Sequence, residues 1–570
     1  MNAACARRTG IGAARFASIA FVGLSMLRNV PAALAADDPN AHTTSDFYIT
    51  SLDGTPLHTV LFRPASPPPK TPVILEVTPY LTSGATPLTP QDVAADVGYG
   101  PGQLGSRGRI FEKGYSYAIV ALRGFGASGG CYDFGGHGEQ MDVIAAVKWA
   151  ASQPWSSGKV GMWGTSYPGG TQVMAMAARN AGHLGDELAA VVPKSPPTGF
   201  LNLFSDYTNP VRNTGGGHGL PAFYMVSDLL PPSVNDTPEH QLTAASGTAA
   251  NPGCYPDGVV GGFSDDVSSP YWVEREVGLR SAGSAVPTLW VQGFSDWQVR
   301  PPNTLPVYTT LAGPHRGIFG PWDHGIDGPS DGRAFVHHAV RWYDRWLKGD
   351  VSVDTGPTVL VQDPTGGWRG ESDWPPPDAV RYDLPLRDDT ILGLPGNFSE
   401  TGFPQVFPVD SPIELPGGSG SWTFTQPLPH DVHVAGVPRV TATVGSLVPN
   451  VHLVVLVYDV DAVGNAVFVD RGVTRVATAG TVTFDLYPQD WTFAAGHRIG
   501  VLVTGADDVW FEPTISLLMT VGDAKLSLPC LPKMRPALAD GPFFPRTAHS
   551  PIVVDVTGKT IDWPPPPEMD

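Results

Sequence analysis

The stretch GMWGTSYPGG, Gly161–Gly170, has the outline of a nucleophile elbow, the sharp turn from strand to helix that presents a catalytic serine. It departs from the usual G-x-S-x-G spacing, because Pro168 stands where the second glycine is expected and Gly169 comes one residue late. Two other stretches fit that spacing to the letter, GASGG around Ser128 and GPSDG around Ser330. Context decides between them. An elbow needs a strand before its serine and a helix after it, so that the hydroxyl sits at the strand's carboxyl end beside helix amides. KVGMW reads as a short buried strand ahead of Ser166, and behind it Pro168 suits a first helical turn, where its missing amide costs nothing. Ser128 follows a strand but lies in RGFGASGG, whose glycines predict a loop, and Ser330 lies in GIDGPSDG, which is turn chemistry throughout. Ser166 is therefore the candidate nucleophile.

Outward from the elbow, strand and helix patterns alternate. VILEVTPY and YSYAIVAL are apolar runs, GEQMDVIAAVKWAASQ has apolar residues at helical spacing, TQVMAMAARNAG is a helix rich in small residues, and LAAVVPKS is a further strand. This order predicts an α/β fold: a doubly wound parallel sheet with helices on both faces, preceded by a hairpin turned at Asp53-Gly54. The first part of this core is placed at 37–195. From 196 to 285 the rhythm breaks into proline, glycine, asparagine and aromatic residues, which reads as an inserted cap. The core resumes over 286–350 with PTLWVQG, HRGIFGPW and the amphipathic RAFVHHAVRWYDRWLKG. Over 351–570 short runs from PTVLVQD to HRIGVLVTG sit between Gly, Pro and Asp turns, which predicts an antiparallel β-sandwich or jelly roll. Asp459 and Asp461 in DVDAVGN miss the EF-hand calcium spacing and read as a hairpin turn.

The bulk composition fits such a chain. Of 570 residues, 42% are hydrophobic and 16% charged, which is globular rather than disordered. Residues 1–36 read as a signal peptide, with Arg7, Arg8 and Arg15 before an apolar run from Phe16 to Leu27 and a small-residue cleavage site at Ala33-Leu34-Ala35. That run is shorter than the ~20 apolar residues that span a bilayer, so a secreted or periplasmic protein without stable membrane insertion is expected. The net charge of −19 becomes −23 once a leader with four arginines and no acid is removed, which disfavours nucleic acid as a partner, since a phosphate backbone needs a basic face. Three cysteines would remain. They fit no disulfide framework or zinc pattern, and a bridge from Cys131 to Cys254 would tie the glycine-rich loop to the cap.

A serine needs a base, and the base an orienting acid. In open α/β sheets such groups lie just past the carboxyl ends of strands. TLWVQG runs into Phe294-Ser295-Asp296, and GIFGPW into Asp323-His324-Gly325. Ser166, Asp296 and His324 then stand in the chain order of an α/β-hydrolase, and Asp296 is preferred to Asp323, which adjoins the histidine in sequence and is badly placed to hold its ring. His337 and His338 are read as packing or surface residues of their helix. No H-E-x-x-H or similar cluster points to a metal hydrolase, and no cofactor is expected.

At these residues the chain resembles the Xaa-Pro dipeptidyl-peptidase and cocaine esterase (CocE/NonD) family of α/β-hydrolases, whose elbow reads G-x-S-Y-x-G. Gly164, Ser166, Tyr167 and Gly169 match that variant with the last glycine one place late, and VTPY, RGFGASGG, GFSDW, GPWDHG, RWYDRWLKG, GGWRGESDWPPP and AAGHRIGVLV extend the likeness over nearly all of the chain after residue 36. The resemblance implies a helical cap, a C-terminal jelly roll, and an oxyanion hole made of the Tyr80 hydroxyl and the Tyr167 backbone amide. It implies an ester, amide or peptide substrate of small size. The related α-amino acid ester hydrolases carry two carboxylates just after the triad acid, where this chain has Gln298 and Val299. Asp206 and Trp297 remain as candidate substrate contacts. A carboxylesterase without peptidase activity, and a secreted binding protein with an inactive core, are the alternatives.

Overall fold

Eight consecutive buried residues in β3 (Thr71–Thr78) mark a strand covered on both faces, which is what a parallel sheet between two helical layers demands. β1 (His42–Thr50) and β2 (Pro56–Pro64) form the expected hairpin, with Gly54 at φ 92° in the turn. The computed structural model describes residues 41–81, 104–105, 107–199, 238, 242, 266–296, 298–324, 333–393, 420–446, 449, 451–505, 517–538, 551–556 and 560–564, all within the unit that runs from Pro39 to Asp570. The leader, most of the cap, Asp206, Cys254, Trp297 and Ser330 lie outside the described residues.

After β3 come β4 (Ser116–Ala121), α1 (His137–Ser152), β5 (Ser156–Thr165), α2 (Tyr167–Asn180) and β6 (Leu188–Lys194). Two short helices, α3 (Pro270–Arg275) and α4 (Val277–Ser281), close the cap region, and Asn180 of α2 donates to the Arg280 and Ala282 carbonyls at 2.9 and 3.1 Å. β7 (Thr288–Gly293), α5 (Pro301–Thr309), β8 (His315–Gly320), α6 (Arg333–Leu347), β9 (Val359–Gln362) and β10 (Trp368–Glu371) complete a ten-stranded sheet of order β1-β2-β4-β3-β5-β6-β7-β8-β9-β10. It is parallel from β4 to β9 and antiparallel at both edges. Alternate residues of each strand face opposite layers: Val73, Leu75 and Val77 pack with α1 and α2, while Ile74 packs in the core that α6 covers through Phe335, Val336, Ala339 and Tyr343.

The sandwich differs in its boundary. PTVLVQD, assigned on sequence to the sandwich, is β9, paired parallel to β8. The amphipathic α6 is thus the crossover of one more β-α-β unit rather than the end of the core. The remaining strands are β11 (Val380–Pro385), β12 (Asp389–Gly393), β13 (Ser421–Thr425), β14 (Val432–Gly436), β15 (Arg439–Ser446), β16 (Val451–Val460), β17 (Asn465–Val476), β18 (Gly480–Asp485), β19 (Gln489–Phe493), β20 (Arg498–Thr504), β21 (Leu517–Cys530), β22 (Ile552–Val553) and β23 (Thr560–Ile561). They form two sheets, β18-β15-β21-β14-β19 with β11 and β12 also on β21, and β22-β17-β16-β20-β13-β23. Val440, Leu526, Val455 and Val501 from the two sheets share one core. Asp461, singled out in sequence, accepts from Val463 and Asn465 in a hairpin turn.

The sandwich is fastened to β10 by charge. Buried Arg369 pairs through both terminal nitrogens with buried Asp490, which His433 also contacts at 3.1 Å. Burial by itself would raise the Asp490 carboxyl, but the His433 hydrogen bond and the Arg369 guanidinium outweigh it and hold the group below the usual carboxylate range. A carboxyl lowered by folding stabilises the fold above its unfolded value, ~4, and loses that contribution as pH falls through the folded value. Replacing Asp490 with Asn takes from the buried guanidinium the carboxylate on both of its terminal nitrogens and leaves only Glu371, which accepts from its Nε at 2.8 Å. It is expected to cost about 3–5 kcal/mol at neutral pH, with the deficit relative to the native chain shrinking in acid below pH ~4, as read by denaturant unfolding at several pH values.

Candidate active site

Strand β5 hands its chain to α2 through one residue, Ser166, whose φ of 63° and ψ of −124° put it in a region that side-chain-bearing residues avoid. The turn is held from both sides: the Ser166 amide donates to the Lys194 carbonyl at 2.9 Å, and the Ser166 carbonyl accepts from Gly170 at 3.0 Å. Small residues allow it. A Cβ on Gly164, itself at φ 151°, would lie 2.3 Å from Pro168, and one on Gly169 would lie 2.8 Å from the Lys194 carbonyl. The late glycine is thus where α2 crosses the end of β6. Two polar residues of α2 fix the helix further and were not singled out in sequence: Thr171 donates to the Val77 carbonyl at 2.9 Å, and Gln172 accepts from Val192 at 2.8 Å. Their signal was a polar pair directly ahead of the apolar and small run Val173–Ala178.

Asp296 follows β7, and His324 follows β8, which is paired with β7. The His324 Nδ1 lies 2.9 Å from Asp296 Oδ2 and 3.1 Å from Oδ1. The Asp296 carboxylate is buried and accepts from the Gln298 and Val299 amides at 3.1 and 2.8 Å and from Gln292 Nε2 at 3.1 Å. Four sets of donors on one buried carboxylate keep it acceptor-only, so Nδ1 carries the proton and Nε2 is left as the basic nitrogen. Asp323 is used differently, accepting from the His324 backbone amide at 2.6 Å. Phe294, on the loop that carries Asp296, stacks on Trp374 with centroids 4.9 Å apart, so the segment after β10 backs the acid.

Tyr80 lies just past β3, the strand next to β5, and its amide donates to Thr78 Oγ1 at 3.1 Å. Tyr167 opens α2, its side chain buried and its hydroxyl donating to Glu139 of α1 at 2.5 Å. Glu139 had no sequence signal beyond a helix's first-turn acid.

Ser128 is buried, accepts from the His58 amide and donates to the Ala121 carbonyl, each at 2.9 Å. Its loop is anchored by Arg123, which clasps buried Asp142 of α1 at 2.7 and 3.0 Å. His337 of α6 is exposed; His338 is part-buried, and burial with the nearby Arg316 and Arg341 pushes it down to about 4, leaving it neutral. Cys131 is disulfide-bonded to a partner outside the described residues, and Cys530 is free and buried. No group of three or more His, Cys, Asp or Glu among the described residues is placed to hold a metal ion, and no described helix is long and apolar enough to cross a membrane.

Comparison with known proteins covers both halves of the chain. Residues 53–326 match the X-Pro dipeptidyl-peptidase S15 family, and residues 352–525 the C-terminal non-catalytic domain of X-Pro dipeptidyl-peptidases. A Bacillus cereus protein provisionally named an Xaa-Pro dipeptidyl-peptidase is 24% identical over 524 residues, 82% of this chain and 86% of the relative. Cocaine esterase from Rhodococcus sp. is 24% identical over 557 residues, 82% of this chain and 92% of that one. A CocE/NonD family hydrolase from Staphylococcus aureus, 16% identical, superposes with a TM-score of 0.65 over 86% of this chain and 94% of its own, which shows the shared fold. With the hydrolase sheet and the sandwich each matched in chain order, the protein belongs to the S15 peptidase family, and its relatives include proteins provisionally named Xaa-Pro dipeptidyl-peptidases and a cocaine esterase.

Proposed function

We propose that the protein is an exported serine hydrolase that cleaves a small ester or an Xaa-Pro amide through an acyl-enzyme. The observation that carries this reading is the His324–Asp296 contact at 2.9 Å past the ends of β7 and β8, in a sheet whose strand β5 ends on an elbow serine at φ 63°. Ser166 attacks the carbonyl while His324 Nε2 takes its proton; the same nitrogen then protonates the leaving group, and water repeats the sequence to release the acid. The Tyr80 hydroxyl and the Tyr167 amide stabilise the tetrahedral oxyanion. No step calls for a metal or organic cofactor. Activity against a panel of aryl esters and Xaa-Pro anilides tests the reading, and hydrolysis of neither class would sink it.

A carboxylesterase without peptidase activity is the second reading. The positions that carry two carboxylates in α-amino acid ester hydrolases are Gln298 and Val299 here, and their amides are spent on Asp296. Under the peptidase reading Asp206 meets the substrate amine, so Asp206→Asn slows Xaa-Pro cleavage and spares neutral esters.

Tyr80→Phe separates the oxyanion role from ground-state binding. Loss of one donor that engages fully only in the transition state is expected to cut kcat about a hundredfold or more with KM nearly unchanged, equally for ester and anilide substrates. A change confined to KM would return Tyr80 to an ordinary pocket aromatic.

A further inference from the structure

Glu139 is a fully buried carboxylate in the first turn of α1 with no place in the acyl-transfer steps above. Its Oε1 accepts from the Asp133 amide at 3.1 Å, and its Oε2 from the Gly135 amide at 2.9 Å and the Tyr167 hydroxyl at 2.5 Å. The carboxylate therefore joins the loop after β4 to the residue that follows Ser166. The loop is itself shaped around carboxylates: Phe134 and Gly135 have φ of 47° and 75°, the Gly138 amide donates to Asp133 Oδ2 at 2.7 Å, and Arg275 of α3 donates to Asp133 Oδ1 at 2.8 Å. Every bond that Glu139 receives comes from a donor, and the N-terminus of α1 favours negative charge at that position, so the arrangement is built for the ionised form.

We infer that Glu139 is a positioning residue which, in its ionised form, holds the Tyr167 side chain and through it the backbone amide beside Ser166. The inference rests on the serine-hydrolase reading above. When Glu139 is protonated the carboxyl must donate one hydrogen bond. The Tyr167 hydroxyl is the neighbour able to reverse and accept, which exchanges a charge-assisted bond for a weaker neutral one, while the Gly135 amide faces a poorer acceptor, so both the loop and the elbow are held less firmly. The titratable and charged groups that face it are Asp133 from the loop, Tyr167 from α2 and Tyr271 from α3, with Arg275 acting through Asp133. Burial pushes the Glu139 carboxyl up to about 7, the Asp133 charge adds to this, and the bonds from Tyr167 and the two amides pull against it. The required form is thus present above pH ~7 and lost below it, alongside protonation of the base.

The test is the pH dependence of fluorophosphonate labelling, with the modified peptide identified by mass, together with kcat and KM on an aryl ester. In the native chain the rate is expected to fall into acid with a slope of about two, because two groups must be unprotonated. Glu139→Gln cannot titrate, and its amide nitrogen meets an N–H where an acceptor stood. It should lower kcat about ten- to hundredfold with little change in KM, as misplacement of a catalytic group does, and reduce the acid slope to about one. Tyr167→Phe cuts the link while leaving the carboxylate in place and should give the same single-ionisation slope; it decides the matter if the Gln variant does not fold. A steep limb retained in the folded Gln variant, or in the Phe variant, overturns the inference whatever the melting temperatures do. Failure of the probe to label Ser166 in the native chain removes the hydrolase reading and this inference with it, an outcome distinct from labelling with an unaltered profile.

Discussion

Alanine at Ser166 is expected to lower turnover about a millionfold, the scale seen when a serine nucleophile is removed from an intact triad, and to abolish fluorophosphonate labelling with the fold unchanged. The expectation is specific because the two serines that match the usual elbow spacing make a direct control. Ser128→Ala keeps the nucleophile but removes a buried hydroxyl and with it the bonds to the His58 amide and the Ala121 carbonyl, so it should cost about 1–3 kcal/mol of stability and still label. Ser330→Ala should change neither activity nor labelling. Labelling lost in a folded Ser128 or Ser330 variant would count against Ser166.

Asparagine at Asp296 is expected to reduce kcat about ten-thousandfold without unfolding the chain. The direction follows from which donors surround the acid. Oδ1 accepts from two backbone amides, Gln298 and Val299, against the one side-chain donor, Gln292, on Oδ2, so the one remaining oxygen of Asn stays at the Oδ1 position. The new NH2 then occupies the place of Oδ2, facing His324 Nδ1. A donor at that point makes Nδ1 the acceptor and moves the ring proton to Nε2, the nitrogen that must receive the serine proton. A variant that keeps a tenth of native turnover would shift the orienting role to Asp323.

Much of this was legible in the sequence because the relevant signals are local. An apolar strand, a serine and a proline-led helix follow one another within a few residues, and Asp296 and His324 each come within one short turn of a strand whose last residue is glycine, Gly293 and Gly320. Where the chain turns from sheet to loop is written in its order. What was not legible depends on contacts between distant segments. Glu139 lies 28 residues from its Tyr167 partner, and an acid in a first helical turn looks the same whether solvent or a tyrosine meets it. β9 was misassigned for a related reason. A four-residue strand such as VLVQ has no periodicity that tells a strand of the parallel sheet from a sandwich strand, and only its pairing with β8 settles the matter.

The position of β9 and β10 bears on how such proteins can be recombined. The two family matches meet between residues 326 and 352, an inviting crossover point for building chimaeras from relatives with different C-terminal modules. A joint there would transplant the last two strands of the hydrolase sheet along with the foreign module, and with them Arg369 and the Trp374 ring that backs the loop of Asp296. Such a hybrid asks β8 to accept an unfamiliar neighbour, and a mismatched pairing leaves an exposed sheet edge open to self-association. The seam that leaves the hydrolase sheet whole lies between Trp374 and β11. A graft made there must then restore the Arg369–Asp490 pair, because the donor module brings its own residue to face the buried guanidinium.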